Sequence, residues 1–167
     1  MYGKLDTKNA DMNEFMFTPP KTTLIGTNHG LLYSRQSFFV QSPTCQVLEF
    51  DPKKGNIKFQ FYKEDDLEAF QMFCGLNGLF FRHLKEEYPG IDFIHTVHCG
   101  HVITITAKMS PSILYFDSNY KTIISEDIKE GDHIICLLKT KGLWVNETTG
   151  TMKWTAFQIL KFIPEEE

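Results

Sequence analysis

Four lysines and four large aromatics crowd the stretch from Gly131 to Phe162: Lys139, Lys141, Lys153 and Lys161 with Trp144, Trp154, Phe157 and Phe162. Ammonium groups neutralise phosphates and flat rings stack on bases. The combination therefore suits single-stranded nucleic acid, at roughly 1–3 kcal/mol per stacked base. The same residues suit the closing hairpin of a small barrel, with tryptophans in the core and lysines guarding an edge strand. A second basic-aromatic set, Lys53, Lys54, Lys58 and Tyr62, comes earlier in the chain. The two sets either line one groove or belong to unrelated solvated faces.

His95, His98, Cys99 and His101 gather imidazoles and a thiol, chemistry that suits zinc. On an extended strand His95, Cys99 and His101 share a face and His98 points away. The spacing matches no standard finger, and structural zinc takes four ligands. Hairpin residues without a ligand are the expectation. Cys99 beside His98 or His101 is the only adjacent nucleophile–base pair, and neighbours on a strand point apart. The chain has no Gly-rich phosphate loop, no HExxH and no GxSxG. A non-catalytic protein with no metal and no cofactor is expected.

The elements that would carry these residues are mostly strands. The run from Thr149 alternates strictly, so Met152, Trp154, Ala156, Gln158, Leu160 and Phe162 should share one face. Lys153, Thr155, Phe157, Ile159 and Lys161 should share the other. This assigns Trp154 to the core and makes Phe157, between Lys153 and Lys161, the better stacking platform. Asn56–Tyr62 alternates as well, after a turn at Asp51–Gly55. Further strands are expected at 22–25, 46–50, 91–97, 101–107, 113–116 and 120–124. A hairpin is expected from 31–33 and 37–41, Asn28-His29-Gly30 reads as a turn, and Ser110-Pro111 as an interruption. One long helix, about 64–88, is marked by Glu64, Asp65 and Asp66 at its start and Pro89-Gly90 at its end. Leu67, Phe70, Phe73, Phe80, Leu84 and Tyr88 recur along it at helical spacing.

Many short strands with one long helix make a mainly β, α+β design. A five-stranded Greek-key barrel with a helix is the OB-fold, which binds oligonucleotides. The expected organisation is an N-terminal arm over 1–20, docked by Phe15 and Phe17 or partly disordered and able to touch a second copy, one OB-like domain over 21–163, and a short acidic tail over 164–167. At 167 residues one domain suffices. The net charge of −4 argues against a general polyanion binder and leaves room only for a local basic groove. The four cysteines, Cys45, Cys74, Cys99 and Cys136, are widely spaced and read as reduced, buried thiols. The first residues carry no apolar signal segment and no run reaches membrane-span length, so a protein that is neither secreted nor membrane-bound is expected.

Two motifs carry a resemblance. Ser37-Phe-Phe-Val-Gln-Ser-Pro43 is similar to the "pfhiQTP" run of OB-fold-like proteins from large nucleocytoplasmic DNA viruses. Gly142-Leu-Trp-Val-Asn with Met152-Lys-Trp-Thr-Ala-Phe-Gln-Ile-Leu-Lys161 resembles their "GiWin…ltWkvvQikv" run. The likeness covers roughly residues 30–163, with Ser42 where Thr is commoner. It implies an OB-like fold and a virus-encoded protein that binds single-stranded DNA, or alternatively RNA. Its role would lie in replication, recombination or repair, in the host cytoplasm or nucleus. Lys139, Lys141, Lys153 and Lys161 would then meet phosphates, and Phe157, Trp144 and Tyr62 would stack bases. A structural or scaffold domain on the same barrel is the alternative, favoured by the acidic charge.

Overall fold

The computed structural model describes residues 3–164. The strands before the helix are β1 (Gly3–Leu5), β2 (Phe15–Phe17), β3 (Lys21–Thr23), β4 (Gly26–His29), β5 (Leu31–Tyr33), β6 (Phe38–Gln41), β7 (Cys45–Asp51) and β8 (Asn56–Tyr62). Helix α1 (Leu67–Glu87) follows. After it come β9 (Asp92–Ile94), β10 (Val97–His98), β11 (Val102–Asp117), β12 (His133–Val145) and β13 (Thr149–Lys161).

Five strand positions close on themselves. β7 pairs β8, β8 pairs β11, β11 pairs β13, β13 pairs β12, and β12 returns to β6 and β7. All are antiparallel except β11–β13, whose parallel pairing needs the chain to return first; residues 118–132 lead into β12, which runs back before β13 begins. This cycle is an OB-like Greek-key barrel. Closure leaves no bare edge in the cycle, which the single hairpins read from sequence would each have had. The inward residues are apolar at period two: Ile57, Phe59 and Phe61 on β8, and Ile103, Ile105 and Ala107 on β11, are all buried.

Helix α1 starts where Asp66 caps it, its carboxylate accepting from the Ala69 N–H at 2.9 Å. Its buried face, Ala69, Met72, Phe73, Leu76, Phe80 and Leu84, has helical spacing. Phe73 meets Trp154 at 5.4 Å between ring centroids, which confirms Trp154 as core. Residues 3–17, expected as an arm, are tied to the barrel: β1 runs parallel to β6 and β2 pairs β5, with Leu5 and Phe15 buried. Of the expected acidic tail only Pro164 lies within the described residues.

Several local expectations need correction. Segments 31–33 and 37–41 do not form a hairpin with each other; β5 pairs β2, while β6 pairs β1 and β12. The bend itself forms, with Tyr33 and Gln36 exchanging backbone hydrogen bonds around Ser34-Arg35, but beyond it each segment pairs with a distant strand. Asn28 and His29 are strand residues, paired with Trp144 and Leu143. Ser110-Pro111 does not end β11; Pro111, lacking an N–H, sits in the register shift between Met109 and Leu114. Residues 120–124 are not a strand and keep one bridge, Phe116 to Thr122. Cys74 and Cys99 are joined as a disulfide, with Cα atoms 6.1 Å apart, so they are not reduced thiols. Helix α1 carries Cys74 beside the 99–101 turn, a proximity that 25 residues of separation conceal. Cys45 and Cys136 are free and buried as expected, and desolvation pushes the Cys45 thiol up to about 12.

Candidate nucleic-acid interface

Two bulges shape the outer face of the β12–β13 ribbon. Thr140 pairs Trp154 while Gly142 pairs Lys153, so Lys141 is the extra residue on β12. Thr140 fixes this bulge: its hydroxyl donates to the Lys153 carbonyl at 3.0 Å and accepts from the Gly142 N–H at 3.2 Å. Gly142 has φ +101, and a Cβ there would overlap the His29 carbonyl. β4 can therefore lie directly on β12, and Asn28 donates from its amide to the Lys141 carbonyl at 3.1 Å. The bulge resets the side-chain alternation and turns Trp144 outward. There Lys153 Nζ stands 4.7 Å from the indole centroid.

The second bulge is at Phe157. Ala156 pairs Leu138 and Gln158 pairs Leu137, leaving Phe157 unmatched. This breaks the strict alternation expected for β13. Ile159 becomes buried, and Gln158, Leu160 and Phe162 leave the core face assigned to them. Phe157 meets Phe39 edge-on at 5.4 Å, and Lys139 Nζ stands 5.6 Å from the Phe39 centroid.

Register then sets two of the lysines, Lys139 and Lys108, in one row that crosses four strands. Lys139 is opposite Thr155, Thr155 is opposite Lys108, and Lys108 is opposite Asn56. At about 4.8 Å per strand this row spans roughly 15 Å. Lys153 feels its neighbours: burial first, then the positive charges of Lys108 and Lys141, hold its ammonium below the usual lysine range. A cluster of like charges of this kind gains from a bound polyanion.

The sequence has no matching family model and no matching curated protein. Solved structures do resemble it. The single-stranded DNA-binding protein from bacteriophage Enc34, as a C-terminal truncation, is 12% identical with a TM-score of 0.59, over 90% of this chain and 96% of that one. The same phage protein in complex with ssDNA gives 0.57 at 12% identity, over 90% and 97%. Gp2.5, a single-stranded DNA-binding protein encoded by bacteriophage T7, gives 0.53 at 10% identity, over 77% and 88%. The fold is one found in phage single-stranded DNA-binding proteins.

On this OB-like barrel the residues singled out from sequence separate into groups. Lys139, Lys141, Trp144, Lys153 and Phe157 come together. Phe39 and Lys108, which sequence reading missed, complete the group. Lys108 could have been found from the outward series Thr104, Thr106, Lys108 on β11; Phe39 needed the β6–β12 register. Lys53 and Lys54 lie on the β7–β8 turn, which is held against β11 next to Lys108 by Met109 N–H donating to the Gly55 carbonyl at 2.8 Å. Lys58 faces outward between Glu49 and Thr106, so a carboxylate shares its surroundings. Tyr62 is 53% exposed but six residues beyond Asn56, about 20 Å along β8. Lys161 stands apart too. It pairs with Asp132 at 3.2 Å and donates to the Asp127 carbonyl at 2.7 Å, at the opposite end of the ribbon from Trp144.

The histidine cluster does not converge. Cys99 is in the disulfide, and His95 Nδ1 lies 3.0 Å from the Asn77 amide. Among the described residues no three His, Cys, Asp or Glu side chains are grouped to hold a metal ion.

A partly buried polar chain backs the interface. His29, opposite Leu143, lies with Nε2 at 3.0 Å from the Tyr88 hydroxyl and Nδ1 at 3.2 Å from His83 Nε2. Phe17 stacks on His83 at 3.8 Å. Burial, then the His83 charge, lowers the His29 pKa below 6.5, with Glu87 opposing. The unfolded chain therefore binds a proton more readily than the folded one between that lowered value and 6.5. Stability is expected to fall as pH drops from about 6.5 into this window. Melting temperatures of the wild type and His29→Gln at pH 7.5 and 5.5 check this. The variant should show a smaller drop.

Proposed function

We propose that the chain binds single-stranded DNA through the outer face of the β12–β13 ribbon, without catalysis. The reading rests chiefly on one observation: Lys108, Lys141 and Lys153 are held together by the register of β11, β13 and the β12 bulge, with Lys153 over the half-buried Trp144. Lys139, Phe39 and Phe157 extend this surface along the ribbon. Lys53 and Lys54 extend it past Lys108 across the sheet. Phosphates meet the ammonium groups, and bases stack on Trp144, Phe157 and Phe39. A net charge of −4 is compatible with this because the positive charge is local. Tyr62, Lys58 and Lys161 have no central part in it.

The likeness to phage proteins whose names state single-stranded DNA binding, one of them in complex with ssDNA, supports the reading. A virus-encoded protein serving replication, recombination or repair, inside a host replication compartment, fits the same picture. Fluorescence anisotropy with labelled oligo-dT tests it. Binding should weaken with salt, log K falling by about 0.7 per phosphate contact against log salt. No binding at low salt sinks the proposal, and oligo-rU in parallel decides between DNA and RNA.

One observation favours the scaffold reading. Leu24 and Ile25, at the tip of the β3–β4 hairpin, are 106% and 78% exposed. Apolar side chains so placed suit a protein contact.

A further inference from the structure

The Phe157 bulge opens a second feature on the same face. Because alternation is reset there, Gln158 and Leu160 line a groove of about 450 Å³ instead of filling the core. Ligand pockets commonly have roughly 300–1,000 Å³ and apolar walls with a few polar groups at the rim. This groove has that character. Its apolar walls include Leu137, Leu160 and Phe116, and its polar groups include the amides of Gln41 and Gln158. Register places Gln41, Leu137, Gln158 and Leu114 in one row across four strands. That row is two residues, about 7 Å, from Lys139 along β12 and from Phe39 along β6. The groove thus continues the basic-aromatic surface directly.

Tyr120 stands at the groove and is 81% exposed. Its backbone has φ +61, a strained conformation for a non-glycine residue that persists only where neighbours enforce it. Asp117 does so. Its carboxylate, on a buried residue, accepts from the N–H groups of Asn119 at 2.8 Å and Lys121 at 3.0 Å. The Tyr120 N–H donates to the Asp117 carbonyl at 2.9 Å, closing the turn. A large ring is thus held in water by a fixed turn, beside an apolar floor.

We infer that this groove is a subsite for one unstacked nucleobase, stacked on Tyr120 with its edge toward the amides of Gln158 and Gln41. An amide offers both a donor and an acceptor, which suits the edge of a splayed-out base. The Gln41 Oε1 accepts from Lys4 Nζ at 2.6 Å, so a cation also stands at that margin for the adjoining phosphate. The inference rests on the single-stranded DNA reading above and specifies where that path continues.

The test uses the full chain and two substitutions. Asn tolerates positive φ, so Tyr120→Asn removes the ring and keeps the turn. Tyr120→Phe keeps the ring and removes the hydroxyl. Oligo-dT affinity should fall roughly 5- to 150-fold for Tyr120→Asn and stay within about twofold for Tyr120→Phe. The slope against salt should not change, since no phosphate contact is lost. Wild-type affinity in Tyr120→Asn overturns the subsite and leaves single-stranded DNA binding standing. No oligo-dT binding by the wild type overturns both. If light scattering shows a wild-type dimer that Tyr120→Asn alone dissolves, with affinity unchanged, a second copy fills the groove and the base subsite is overturned.

Discussion

Gly142→Ala should destabilise the protein by roughly 2–5 kcal/mol, combining backbone strain with overpacking. Residue 142 has φ +101, and a methyl group would overlap the His29 carbonyl and crowd the Gly30 Cα, at 2.8 Å. Neither obstacle is a flexible side chain. Both belong to the backbone that pairs β4 with β12, so relief requires moving that strand. Gly55→Ala is the control. Gly55 also has positive φ, at +70, but nothing lies within 4 Å of an added Cβ. It should show the strain alone, about 1 kcal/mol. Urea unfolding of both variants separates the two contributions. Equal losses would mean that the contact with β4 contributes nothing. The same displacement should loosen Trp144, which pairs Asn28 of β4, and a red-shifted tryptophan emission in Gly142→Ala would report it.

Replacing Lys139 and Lys153 together by Glu should lower oligo-dT affinity on the order of 10- to 100-fold at low salt, since two cations become repulsive. The slope of log K against log salt should flatten by about 1.4, or about 0.7 for each lost phosphate contact. Stability should hardly change. Lys153 already suffers from Lys108 and Lys141, so a negative charge there relieves repulsion. Thermal melts and anisotropy on the same preparations check both halves. Unchanged affinity with intact folding would move the interface elsewhere, with the outer face of β8 that carries Tyr62 the first alternative.

The lowered Lys153 pKa adds a pH signature to the same experiment. Phosphate beside Lys153 favours its charged form, so binding should be accompanied by proton uptake at alkaline pH, below the ordinary lysine value of 10.5. The Lys153→Glu change should abolish that uptake.

Much of the fold could be read from the chain because period and punctuation are local properties. Ile57, Phe59 and Phe61 alternate, Asp66 precedes a helical run, and Pro89-Gly90 ends it. The mainly β design with one helix, and Trp154 in the core, follow from such patterns. The basic-aromatic character of 139–157 also needs only residue types. What the tertiary structure decided was every matter of register. A β-strand's side chains change face when one residue is inserted; Gly142 inside its strand was a local hint of the bulge at Lys141, but nothing local marked Phe157. Those two bulges turned Trp144 toward Lys153, put Ile159 in the core, and released Gln158 and Leu160 to the groove. Pairing across long separations did the rest. It joined Cys74 to Cys99, set Lys108 beside Lys153, and placed Lys161 with Asp132 instead of with the other lysines. The sequence by itself determined which chemistry the chain carries and which elements bear it. Only the closed barrel decided which of those groups share a surface, because that depends on partners far apart in the chain.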